Sequence, residues 1–125
     1  MFDIAFEDAT GILIVTVRGE WTRLHVERYR DQIREAVPEA RRRHGALRML
    51  VDSRKGKPVP HELVLPLQHV GDGLMEPEDR VAGLVESSMR KLELRSIVAE
   101  WQLFLSEPAA RTWLSAMDHE LAEAS

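Results

Sequence analysis

At 125 residues, with 44% apolar and 30% charged side chains, the chain has the size and composition of one ordinary globular domain, spanning residues 1–125. It contains no cysteine, which excludes disulfides, thiolate metal sites and thiol catalysis, and no apolar run approaches the roughly 18 residues of a membrane helix. The net charge of -4 is segregated, with one basic and four acidic groups in residues 1–20, eleven and five in 21–57, and five and twelve in 58–125.

In chain order, Phe2, Ile4 and Phe6 alternate with Asp3 and Ala5, the pattern of an edge strand with one wet face. After a turn at Glu7–Gly11, the β-branched run GILIVTVRG (11–19) predicts a second strand pairing antiparallel with the first. Thr22 is placed to cap a helix running to about Arg43, whose apolar stripe is Val26, Tyr29, Ile33, Val37 and Ala40. Pro38 lies inside it, so a kink or break is expected near Val37. Arg23, Arg30, Arg34 and Arg41 share one side of that helix, with Glu27 and Asp31 as the expected partners of their heads.

Leu47–Val51 is a short apolar run without helical spacing, which reads as a strand buried on both faces within a parallel sheet. It stops at Asp52-Ser53, and in such sheets ligands and partners meet the carboxyl ends of the strands. The basic, proline-bounded stretch Arg54–Pro60 is expected as an exposed loop. Residues 61–75 have helical spacing, with Leu63, Leu67, Val70 and Leu74 on one side and Leu65 almost opposite. Arg80–Val85 is a third parallel strand, followed by a helix at about Met89–Val98 with Leu92 and Ile97 or Val98 facing in. WQLFL (101–105) is the last strand, and Ser106 caps a closing helix with the stripe Ala110, Trp113, Leu114, Met117 and Leu121 and a frayed tail from Ala122. The order β-β-α-β-α-β-α-β-α implies an α/β fold: an N-terminal antiparallel edge strand, then four parallel strands joined by right-handed crossovers.

The elements GILIVTVRGEWT, LRMLVDSRKG and DRVAGLVES, and above all the ending WQLFLSEPAARTWL, resemble the SpoIIAA-like branch of the STAS fold over nearly the full length. The most specific part is the final arrangement of Phe104, Ser106, Ala110, Trp113 and Leu114. The resemblance implies a small cytoplasmic bacterial domain that binds partners or an apolar ligand and is not an enzyme, with a fold similar to CRAL-TRIO lipid-binding domains. STAS anti-sigma-factor antagonists carry a D-S-[ST]-G element whose serine is phosphorylated. Asp52-Ser53-Arg54-Lys55-Gly56 is the nearest match here, which makes Ser53 the candidate phosphosite; arginine in place of the second hydroxyl departs from the pattern. A phosphate on Ser53 is expected to find Arg54, Lys55 and Lys57 nearby.

Other chemistry is poorly supported by the sequence. The five histidines have no HExxH or His-x-His spacing, so no metal site is expected. Ser53, His61 and Asp52 lack a nucleophile elbow, and Gly71-Asp72-Gly73 lacks the lysine and hydroxyl of a phosphate loop. Nucleic acid is disfavoured because acidic residues dilute the arginines and the total charge is negative. The acidic start MFDIAFED, unlike a signal peptide, makes a cytoplasmic location the expectation. Three binding roles remain, none needing a cofactor. The first is docking of a protein partner on a rim formed by Trp21, Asp52, Ser53, Arg54 and Ser87. The second is carriage of a small apolar or lipid-like ligand between the sheet and the 61–75 helix, with Leu63, Leu67, Val70 and Leu74 as wall or lid. The third is a homodimer with Leu65 in its seam.

Overall fold

The computed structural model describes the backbone of residues 1–124 and the side chains of residues 1–116. Five strands, β1 (Phe2–Glu7), β2 (Ile12–Gly19), β3 (Arg48–Gly56), β4 (Arg80–Leu84) and β5 (Gln102–Phe104), form one sheet whose spatial order is the order in the chain. β1 runs antiparallel to β2, and every other pair is parallel. Helices α1 (Arg23–His44), α2 (Val64–Gln68), α3 (Ser88–Arg95) and α4 (Glu107–Ala124) fill the connections and the end of the chain. The expected α/β fold, with an antiparallel edge strand and four parallel strands, is therefore the observed one. No helix among the described residues is long and apolar enough to cross a membrane.

Strand periodicity sorts the core into two sides. Met49 and Val51 of β3 pack with Val15 and Val17 of β2 and with the α1 stripe Val26, Tyr29, Ile33, Val37 and Ala40. Leu50, between them in sequence, packs on the opposite face with Ala110 and Leu114 of α4. Such alternation is what a strand imposes, and covering on both faces is why Leu47, Met49, Leu50 and Val51 are all apolar, while Arg48 between them is buried as well. The side chains of Met117 and Leu121, and the residue Ser125 of the expected frayed tail, lie outside the described residues; the backbone of Ala122–Ala124 continues α4.

Pro38 does not break α1, which is one helix from Arg23 to His44. Proline removes one helical N–H, but Pro38 and the Arg34 backbone four residues before it are on the exposed side, so water can satisfy the freed carbonyl. Val37 and Ala40, both buried, hold the two halves on the sheet. Thr22 caps the start, its hydroxyl accepting from the His25 N–H at 3.2 Å. Of the four arginines, Arg30 pairs with Asp31 as expected, whereas Arg34 donates to the Asp72 carbonyl, and Arg41 to Asp79 and the Leu74 carbonyl.

The connection from β3 to β4 departs most from the reading of 61–75 as one helix. It consists of a 3-10 turn (His61–Leu63), the five-residue α2, and successive turns closed by bonds from Asp72 N–H to the His69 carbonyl and Leu74 N–H to the Gly71 carbonyl. Pro58 and Pro60 delay the start, and Gly71 with Gly73 at φ 72° prevents the helix from continuing. In α3 the inward side belongs to Leu94, with Ile97 following, so Leu92 points outward and is 70% exposed. The last strand keeps only three residues, because Trp101 N–H bonds back to the Val98 carbonyl.

Candidate functional site

The α1 side of the sheet is not filled. A cavity of about 560 Å³ lies over it, with Val17, Met49 and Val51 as floor and Tyr29 and Ile33 of α1 along one wall. Leu67, Val70 and the turns through Pro77 close it from the connection, and Ile97, Val98 and Trp101 close it from the β5 side. Gly83 makes room for this last wall. A Cβ there would stand 2.6 Å from a Leu103 methyl and 3.3 Å from the Trp101 ring, so the bare backbone lets Trp101 lie across β4.

Of the wall expected from sequence, Leu67 and Val70 border the cavity. Leu63 is buried but faces a second, smaller hollow with Arg23, Arg30 and Arg34, and Leu74 packs against the core without lining either. The difference follows from the broken helix, since residues 69–74 no longer follow one helical wheel. Leu65, the expected dimer contact, projects to solvent at 64% exposure.

The connection is tied down at its far end. The Asp79 carboxylate, its side chain 3% exposed, accepts from the Leu47 N–H at 3.0 Å, the Glu76 N–H at 2.8 Å and the Arg41 guanidinium. Burial pushes this carboxyl up, but Arg41 and the two N–H groups outweigh it and hold it below the usual carboxylate range.

The five residues expected to share one rim are divided between surfaces. β3 runs on past Asp52 beside β2, pairing Lys55 with Arg18 and Gly56 with Gly19, so Arg54–Gly56 is strand and not loop. Between Asp52 and Lys55 the strand uses one residue more than β2 does, a β-bulge. Asp52 causes the local turn: its Oδ1 accepts the Arg54 N–H at 3.1 Å, the hydrogen bond of an Asx turn. The Arg54 side chain then returns to Asp52 at 2.8–3.0 Å and reaches Glu107 of α4 at 3.2 Å. Burial raises the Asp52 carboxyl, yet Arg54 and Lys55 bring it below its normal value. The chain of charges continues from Glu107 to Arg111 and from Arg111 to Glu7 of β1, on the α4 side.

Ser53 lies on the other side, lining the cavity, and so does Trp21, which is 8% exposed and therefore not a surface contact. Trp21 is buried because its ring packs on Phe2 and meets Tyr29 edge-on at 5.3 Å. A phosphate on Ser53 would consequently not have Arg54 at its disposal, since that guanidinium is committed to Asp52 and Glu107. Ser87 is half-buried and caps α3, accepting the Arg90 N–H at 3.2 Å. Sequence reading missed Tyr29 and Trp101 as cavity residues. Tyr29, the one tyrosine of the chain, was visible as a hydroxyl inside an otherwise apolar stripe.

No family model matches the chain, and no curated protein matches it in sequence. Solved structures do. An anti-sigma factor antagonist from Mycobacterium paratuberculosis superposes with a TM-score of 0.66 at 16% identity, covering 91% of this chain and 94% of that one. The unphosphorylated form of the anti-sigma factor antagonist SpoIIAA gives 0.57 at 16% identity, over 91% of this chain and 97% of that one. The chain thus has the SpoIIAA-like STAS fold that its sequence resembles.

Proposed function

We propose that this STAS-fold chain works by binding and not by catalysis, and that it holds a small, mainly apolar molecule between the sheet and the 59–77 connection. The observation that carries this reading is the cavity. Its volume is within the usual range of roughly 300–1,000 Å³ for small-molecule sites, and strands, α1 and the connection all leave apolar side chains facing it. A space of this size and character in a 125-residue chain exposes apolar area that an occupant would remove from water. N-phenyl-1-naphthylamine, a neutral dye that brightens in apolar surroundings, tests it. Saturable binding of one dye per chain is expected, abolished by Leu67→Trp, which fills the space without entering the sheet. Dye fluorescence that rises without saturation, or is unaffected by Leu67→Trp, would remove the basis for the reading.

A second reading, docking of a protein partner, has its own observation. The structural neighbours are antagonists of anti-sigma factors, and beside the Ser87 cap Met89 and Leu92 stand 79% and 70% exposed on α3. On this reading the contact surface comprises α3, Ser87 and the Asp52–Arg54 pair, with Trp21 and Ser53 acting from behind through the cavity. Met89→Asp with Leu92→Asp is expected to change unfolding free energy by no more than about 0.5 kcal/mol, as for exposed positions generally. The same pair of changes is expected to weaken capture of a partner more than tenfold; undiminished capture would exclude α3 from the contact.

A further inference from the structure

Tyr29 is only 5% exposed, and its hydroxyl has no hydrogen-bond partner among the described residues; the same holds for the indole N–H of Trp21. Buried polar groups are nearly always paired, so an unpaired one calls for a reason. Among the described residues every fully buried side-chain polar atom has a partner, so the Tyr29 hydroxyl and the Trp21 N–H each keep some open surface, and both residues line the cavity. Ser53, whose hydroxyl is likewise without a hydrogen bond, lines it too. Burial pushes the Tyr29 phenol well above its ordinary value, so it remains a neutral donor at any physiological pH. Three residues with uncharged donors therefore line one mainly apolar space.

The charged side chains that line that space are all carboxylates, with Arg41 beside Glu76 and Asp79 and His69 beside Asp72. Asp72, Glu76 and Glu100 are exposed and also line the cavity, so they stand where it meets solvent. Asp79 lines it as well, paired with Arg41. No lysine, arginine or histidine lines it among the described residues. An anion entering would pass carboxylates and find no countercharge inside, and burying a charge without one is strongly unfavourable.

We infer that the cavity selects an uncharged, single-chain or ring apolar molecule bearing one hydrogen-bond acceptor, a hydroxyl or carbonyl oxygen, which Tyr29 and one of Trp21 or Ser53 receive, and that it rejects the corresponding carboxylate. This rests on the ligand-holding reading above and adds the chemical class. The polar end sits against these donors, and the apolar remainder lies over Val51 and under Leu67 and Val70.

Displacement of N-phenyl-1-naphthylamine by 1-alcohols and by decanoate at pH 7.5 tests the inference. From 1-hexanol to 1-decanol, each added methylene should tighten binding about fourfold, the equivalent of about 0.8 kcal/mol per buried CH₂. Decanoate is expected to bind at least tenfold more weakly than 1-decanol. Tyr29→Phe, which keeps the ring and its packing, is expected to weaken 1-decanol three- to tenfold, the size of one net hydrogen bond. Decanoate binding as tightly as 1-decanol, or Tyr29→Phe leaving the alcohol unaffected, would overturn the assigned class while the dye result still supports a ligand site. Absence of saturable binding by both dye and alcohols would overturn the ligand-holding reading itself. The comparison of alcohol with carboxylate uses the unmodified chain, so it stands even where a variant fails to fold.

Discussion

Asp79→Ala is expected to lower the unfolding free energy by about 3 to 4 kcal/mol at pH 7, as measured by urea denaturation. The carboxylate is buried and satisfies three donors, and its loss leaves Arg41, itself mostly buried, without its strongest partner and the Leu47 and Glu76 N–H groups without acceptors. Removing one member of a buried, hydrogen-bonded ion pair has that effect because the other charge remains. Asp79→Asn, which can still accept from a backbone N–H, should cost about half as much. The pH dependence follows from the depressed carboxyl of Asp79. A group whose folded value is below its unfolded one, about 3.9 for aspartate, stabilises the fold at pH above the unfolded value. That stabilisation is lost as pH falls through the folded value. The difference between the native chain and Asp79→Asn should therefore be constant from pH 7 to about 5 and shrink below about pH 4. A difference that grows on acidification would show that the pairing is not what holds Asp79.

The same pair fixes the end of the connection that covers the cavity. Arg41 is on α1, Leu47 immediately precedes β3, and Glu76 belongs to the turns over the cavity, so one carboxylate joins three parts of the chain around it. Exposed ion pairs contribute little, and those of Arg30 with Asp31 and Arg18 with Asp3 are of that kind. Asp79 differs because desolvation makes its loss expensive. Loosening it is also expected to speed release of a bound dye, which stopped-flow dilution of Asp79→Asn would read.

What the sequence made legible is the part governed by local rules. The two-sided burial of Leu47–Val51, the α1 stripe and the caps at Thr22 and Ser106 depend on spacing and on neighbours within four residues, and they are present as read. The candidate site depended on other things. The bulge after Asp52 arises from how many residues β3 uses against β2, which no property of Asp52–Gly56 alone determines. The 61–75 stretch has helical spacing, yet proline at its entrance and glycine at 71 and 73 outweigh periodicity. Arg41 with Asp79 joins residues 38 apart, and the local candidates Glu27 and Asp31 concealed it. Trp21 was placed correctly after β2 but assigned to the outside, and Ser53, taken as a strand end, lies within β3, where alternation across a bulge cannot be counted in advance.

Leu114→Ala is the second large effect, expected at about 3 kcal/mol, and its value lies in contrast. Leu114 is fully buried on the α4 side with Leu50, Leu84 and Ala110, where truncation opens a hole in close-packed surroundings. Leu67 is larger than the space demands of it: half-buried, it already borders the cavity, so Leu67→Ala should cost no more than about 1.5 kcal/mol, mostly the transfer contribution of the lost atoms. A saturating ligand distinguishes the faces further. Binding to the native state at a hundred times its Kd adds about 2.7 kcal/mol, and this increment should be the same in the native chain and in Leu114→Ala, since a full sheet separates the two sites and distant changes add. In Leu67→Ala the increment should fall, because the ligand loses part of its cover. Equal costs for the two leucines, or an increment that follows Leu114 instead of Leu67, would mean that the α1 side of the sheet is as tightly packed as the α4 side and has no room for an occupant.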